Sequence, residues 1–127
     1  MAYNVLIVDD SVLIRSMVAK TLNIAGIHVG KHHYAGNGQE ALDKLENNWI
    51  DIVFADINMP VMDGIQLIDT MRARDHLADI PVVVISTEQS EERIQELRAK
   101  GVRDYLKKPF MPEQFKEVVA KYLERED

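Results

Sequence analysis

The sequence predicts an α/β fold: a doubly wound parallel sheet in which five strands alternate with five helices. Three observations lead there. Val5-Leu6-Ile7-Val8, Ile52-Val53-Phe54-Ala55 and Val82-Val83-Val84-Ile85 are nearly continuous apolar runs of strand length, as expected for strands buried on both faces. Stretches of helical period separate them. The first two runs also end in acids, Asp9-Asp10 and Asp56. In an open α/β sheet the carboxyl edge is where ligands bind, so the acids fall on the functional edge.

Taken in order, the first strand runs from Asn4 to Val8. From Ser11 the period becomes helical, with Ile14, Met17, Val18 and Leu22 on one stripe until Gly26 stops it. Ile27 to Tyr34 reads as a second strand on an edge, because Gly30, His28, Lys31, His32 and His33 suit a polar border better than a core. Asn37 and Glu40 form a capping pair for a second helix whose face is Ala41, Leu42 and Leu45. Trp49, just before the central strand, is expected to be a partly buried packing residue. The central strand ends at Asp56, and Asn58, Pro60 and Gly64 punctuate the loop behind it.

Ile65, Leu67, Ile68 and Met71 mark a third helix, followed by a polar connection through Asp75 and Asp79. Pro81 is tolerated at the head of the fourth strand. Ser90 caps a fourth helix with sparse apolar positions, Ile94 and Leu97, closed by Lys100-Gly101. Val102 to Lys107 is a short fifth strand. Pro112 opens the last helix, which carries Phe115, Val118, Val119 and Tyr122 on one stripe. The scattered methionines are read as core filling.

Composition narrows the function. The length fits one domain spanning residues 1–127. A net charge of −6, with 21 acids against 15 bases, disfavours nucleic acid and membrane surfaces as partners. The absence of cysteine removes thiol catalysis and thiolate metal sites. No apolar run is long enough to cross a bilayer and no signal segment opens the chain, so a cytoplasmic protein is expected; a monomer is the expected state. If the first and third strands are parallel, Asp9, Asp10 and Asp56 meet at one edge. Three carboxylates in one cleft call for a cation, and an all-oxygen set suits a hard ion such as Mg²⁺. His28, His32 and His33 raise a second metal hypothesis, against which the polar-edge reading stands.

Val8-Asp9-Asp10-Ser11, Asp56-Ile57-Asn58-Met59-Pro60-Val61-Met62-Asp63-Gly64, Ile85-Ser86 and Tyr105-Leu106-Lys107-Lys108-Pro109-Phe110 together resemble the response-regulator receiver domain in order and spacing. The likeness runs the whole length and is nearest the stand-alone, CheY-like members. It implies the flavodoxin-like strand order 2-1-3-4-5. It also implies that Asp56 accepts a phosphoryl group from a sensor histidine kinase, forming an acyl phosphate. Asp10, assisted by Asp9 and the Asn58 carbonyl, would hold Mg²⁺, or Mn²⁺ in its place, together with Asp56. Lys108 and Ser86 would contact the phosphoryl oxygens. Ser86 and Tyr105 would switch the face made by the fourth helix, fifth strand and fifth helix for a downstream protein target. Chemotaxis-type output is the leading expectation; a phosphorelay intermediate or a receiver from a larger regulator are the alternatives. Self-phosphorylation and autodephosphorylation would be the only chemistry, with no external substrate. Lys107, alternating away from Lys108, is read as a surface lysine; the resemblance implies a cis Lys108-Pro109 peptide, which an X-Pro bond by itself adopts in only about one case in twenty.

Two rivals share parts of this pattern. A haloacid-dehalogenase-type phosphatase needs a second acid two residues after its nucleophile, where this chain has Asn58. A flavodoxin-like FMN carrier wants a phosphate-binding loop after the first strand, where Asp9-Asp10 would repel the phosphate. The chain departs from the family at the Gly26–Tyr34 segment, which is about two residues long for the pattern, and at Thr87, which replaces a small residue. The resemblance also implies that Asn58, Glu88 and Thr87 set the lifetime of the phosphorylated state. Thr87→Ala is therefore expected to speed autodephosphorylation, and equal rates for the two proteins would remove that role.

Overall fold

The computed structural model describes residues 2–86 and 91–123; Thr87, Glu88 and the Ser90 cap lie outside the described residues. Along the chain the elements are β1 (Tyr3–Val8), α1 (Val12–Ile24), β2 (Val29–Ala35), α2 (Gly38–Asn47) and β3 (Ile52–Ala55). They continue as α3 (Gly64–Ala73), β4 (Val82–Ser86), α4 (Glu91–Ala99), β5 (Asp104–Lys107) and α5 (Pro112–Tyr122). All strands pair in parallel in the order β2-β1-β3-β4-β5. The order reverses between β1 and β3, so α1 and α5 cover one face while α2, α3 and α4 cover the other. That reversal opens a crevice at the carboxyl edge beside the ends of β1 and β3.

The apolar runs become the interior. Val5–Val8, Ile52–Ala55 and Val82–Ile85 are buried throughout. On the α1/α5 face Phe54, Phe115 and Phe110 form a chain of rings with centroids 5.2 Å apart, Phe110 meeting Phe115 edge-on. On the other face Ala41, Leu42 and Leu45 of α2 meet Leu67, Ile68 and Met71 of α3. Of the methionines, Met71 fills the core as expected and Met59 and Met62 pack against it, while Met17 and Met111 are exposed.

Helix boundaries follow local chemistry. The Ser11 hydroxyl accepts the Ile14 N–H at 3.2 Å, and Gly26, at φ +79°, ends the turn beyond α1. Asn37 caps α2 as expected, but Glu40 reaches past it to accept the Gly36 N–H at 2.8 Å. Asp63 and Gln66 form a reciprocal capping box at the head of α3, a pattern readable in the sequence but missed there. Pro112 stands at the start of α5.

β2 is an edge strand, two residues later than expected at its start and one at its end. Its register with β1 jumps between Tyr3↔Val29 and Asn4↔Lys31, leaving Gly30 as the extra residue of a bulge. A Cβ there would lie 2.9 Å from Asn4 Oδ1, so glycine lets the bulge close on β1. Strand alternation turns His32 and His33 to opposite faces, which removes a shared metal site from them. His32 stacks on Tyr34, whereas His33 is buried, where desolvation, with Lys31 and Lys44 nearby, holds its pKa below the ordinary histidine value. β5 starts at Asp104 rather than Val102. Trp49 is a correction: it is 78 % exposed. Ile50 takes the interior position beside it, and the indole N–H donates to Asp51 at 2.9 Å along the polar lower edge.

Arg72 clamps three segments. Its guanidinium donates to the carbonyls of Ala78, Ile80 and Gly101, at 2.7, 3.3 and 2.9 Å, tying α3 to the turns before β4 and β5. Truncation leaves those half-buried acceptors to find water. Arg72→Ala is expected to cost about 1–3 kcal/mol, read as a lower urea midpoint; an unchanged midpoint would assign the clamp no weight.

Candidate functional site

β1 and β3 run side by side with Val8 opposite Ala55, so the residues just past each end, Asp9 and Asp56, are brought level. The Asp56 N–H donates to the Val8 carbonyl at 2.9 Å, fixing the two ends together. Ligand oxygens of Asp9, Asp10 and Asp56 all lie within 4.8 Å of one another. Lys108, immediately beyond β5, reaches across the edge: its Nζ is 3.2 Å from Asp9 Oδ2 and 3.6 Å from Asp56 Oδ2. Lys107 is exposed, as alternation requires. The Lys108-Pro109 peptide is cis.

The three acids differ in surroundings. The Asp9 side chain is 6 % exposed, and its oxygens accept from the Ser11 N–H at 2.9 Å and from Lys108. Asp10 is exposed. Asp56 lies between them, 13 % exposed at its side chain, with Oδ1 accepting the Ile57 N–H at 2.7 Å. Burial pushes the Asp56 carboxyl above the ordinary aspartate range; Lys108 pulls against this, Asp9 adds to it, and the Ile57 N–H favours the ionised form.

The loop between Asp56 and α3 is held at both ends. The Met62 N–H donates to the Pro60 carbonyl at 2.7 Å around Val61, whose φ is +66°. This is a γ-turn of the positive-φ hand, strained for a β-branched residue by about 1–3 kcal/mol. Gly64 then packs so tightly that a Cβ would collide with the Asp56 carbonyl oxygen. Gly38 does the same against Met62 and donates its N–H to the Met62 carbonyl at 2.8 Å. Both glycines appear in the sequence only as turn or helix-start residues; their close approaches are tertiary.

The structure therefore brings Asp9, Asp10, Asp56 and Lys108 together. Ser86, buried at the end of β4, accepts the Lys108 N–H on its carbonyl at 3.0 Å. Asn58 is exposed on the loop two residues past Asp56, and Tyr105 sits half-buried on β5 beside Val84. Among the described residues the metal-capable cluster is this acid trio, with none of the histidines in it. An all-oxygen set with one exposed carboxylate suits a hard divalent cation. No helix among the described residues is long and apolar enough to cross a membrane.

Strand-end carboxylates facing a lysine on this strand order define a two-component receiver. Residues 5–120 match the response regulator receiver domain, and the chain belongs to that family. It is 37 % identical over 121 residues to the chemotaxis protein CheY-3 of Vibrio cholerae, covering 95 % of this chain and 92 % of the relative. The transcriptional regulatory protein PrrA of Mycobacterium tuberculosis is 39 % identical over 108 residues, 84 % of this chain but 44 % of that protein. Among solved structures, Vibrio cholerae CheY4 superposes with a TM-score of 0.85 at 36 % identity, covering 97 % of this chain and all of that one. A chain of the CheX–CheY–BeF3–Mg²⁺ complex from Borrelia burgdorferi gives 0.82 at 31 % identity, covering 94 % and 87 %.

The raised pKa of Asp56 has a thermodynamic consequence. An acid that holds its proton more tightly folded than unfolded lends stability below the ordinary aspartate pKa and loses it as pH rises through the folded value. At neutral pH without divalent cations, Asp56→Asn should melt higher than the wild type. The difference should shrink in acid, and thermal melts showing no gain at neutral pH would contradict the desolvated carboxylate.

Proposed function

We propose that Asp56 accepts a phosphoryl group from the phosphohistidine of a sensor kinase and that the acyl phosphate so formed switches binding of a downstream protein. The observation that carries this is Lys108 within 3.6 Å of an aspartate flanked by two further acids at one strand edge. An Asp56 oxygen attacks phosphorus, the bond to the histidine nitrogen breaks, and the imidazole leaves. Charge spreads over the equatorial phosphoryl oxygens, so the protein's task is positioning and electrostatic stabilisation. Lys108 supplies a point charge to one oxygen and Ser86 a hydroxyl donor to another.

Asp10 and Asp56, with Asp9 and the Asn58 carbonyl, are the residues that would hold Mg²⁺, or Mn²⁺ in its place. When bound, the ion neutralises phosphoryl charge and the repulsion among the acids. Both Asp9 oxygens already accept protein donors, which favours an indirect role for Asp9 through water. The Borrelia burgdorferi complex, whose description includes BeF3 and Mg²⁺, supports the same chemistry here. Hydrolysis returns the switch to rest, with no external substrate turned over.

Two surfaces suit the two partners. Beside the acids, α1 exposes Val12, Leu13 and Met17, and an apolar groove of about 340 Å³ opens between Ile14, Met17 and Phe110. That rim suits a donor protein that must bring a histidine to Asp56. On the far side, Ile94 and Arg98 of α4 and Tyr105 and Lys107 of β5 border a second groove of about 390 Å³. Charge added at Asp56 draws Ser86, and Tyr105 repacks in its wake, so a target that prefers the altered face shifts the population. The CheY relatives favour chemotaxis-type output. A receiver from a larger regulator is the second reading, favoured by PrrA, of which this chain matches less than half.

Incubation with acetyl phosphate and the divalent ion should add one phosphoryl group, about 80 Da by general chemistry, to the wild type and none to Asp56→Ala. A beryllofluoride titration followed by pull-down should capture a target from lysate only with the mimic. Capture unaffected by Asp56→Ala would reject the switch.

A further inference from the structure

Arg15 lies half-buried on the second turn of α1, and its Nη1 donates to the Asp9 carbonyl at 2.8 Å. That carbonyl belongs to the peptide joining Asp9 to Asp10. Among the described residues Asp9 is held in two further ways: its N–H goes to the Ala35 carbonyl at 3.0 Å, and its carboxylate accepts from Ser11 and Lys108. The Asp10 carboxylate, by contrast, is bonded by no protein group among the described residues. Its direction is set by the main chain alone, and Arg15 holds the peptide that sets it.

We propose that Arg15 is a positioning residue for the divalent-cation site, locking the Asp9–Asp10 peptide so that the Asp10 carboxylate stays turned toward Asp56. The inference rests on the cation reading given above. The surroundings favour a guanidinium at this position. A Cβ on Gly36 would stand 3.4 Å from Nη1, so the turn after β2 closes one side of the group, and the Glu40 carboxylate lies on the same turn, bound to the Gly36 N–H. A planar group can slip between that turn and the peptide and keep a fixed direction, which a lysine point charge does less well.

Charge and geometry make opposite demands on the cation. Arg15 is positive and bonded to the peptide that carries two of the three acids, so as a charge alone it repels a divalent ion, and its removal would tighten binding. As a positioning group its removal loosens Asp10 and weakens binding. Outer partners of metal ligands commonly matter by about ten-fold or more in affinity.

The test is calorimetric titration of unphosphorylated wild type, Arg15→Met, Arg15→Lys and Asp10→Asn with Mg²⁺, alongside urea unfolding of each. Arg15→Met is expected to raise the Kd by about ten-fold, with Arg15→Lys between it and wild type. The acetyl phosphate reaction of Arg15→Met should recover at saturating Mg²⁺. An unchanged or lower Kd in Arg15→Met overturns the proposal. If that variant does not fold, Arg15→Lys decides: a raised Kd supports the role and a wild-type Kd overturns it. Wild type that binds no Mg²⁺, or Asp10→Asn that binds as wild type does, would sink the cation site itself and the Arg15 role with it.

Discussion

The arrangement depends on holding like charges at the ends of two adjacent buried strands. Asp9 and Asp56 are carried there by apolar runs that cannot leave the core, and with Asp10 they crowd into a space under 5 Å across. Isolated, such a cluster would oppose folding. One cation from the chain, Lys108, partly offsets it, and the remaining excess of negative charge could be met by a divalent cation. Stability withheld at this edge becomes binding free energy when those charges are met.

Rigidity around the acids comes from close backbone approaches rather than from side-chain bulk. Gly64 against the Asp56 carbonyl, Gly38 against Met62 and the strained turn at Val61 bend one loop over the edge and hold it. The Arg15 contact with the Asp9 carbonyl and the Asp56–Val8 backbone bond do the same for the strand ends. Phosphoryl transfer gains from such pre-set geometry, because positioned charge needs no reorganisation as the reaction proceeds.

The α4 side differs in kind. α4 carries only Ile94 and Leu97 into the core, and its remaining described surface is charged and solvated. A helix anchored by two side chains shifts at lower cost than one anchored by three, as α2 and α3 are. Movement at Ser86 and Tyr105 would therefore be felt first on the α4–β5 side. The acid edge is held by close backbone contacts and α4 by few buried side chains, the contrast that the proposed switch would need.

The strand and helix order, the cluster of strand-end acids and their lysine partner were legible in the sequence. A buried parallel strand must be an unbroken apolar run, and a charge that interrupts it can only sit at the end. The bulge at Gly30, the exposure of Trp49 and the grips of Arg15 and Arg72 were not legible, since each depends on how its element packs in the fold. Trp49 faces outward because Ile50 takes the interior place, and Arg15 meets the Asp9 carbonyl because helix α1 turns it back on the end of β1. Periodicity records which way a residue points relative to its own element; only the packed fold decides what it meets there.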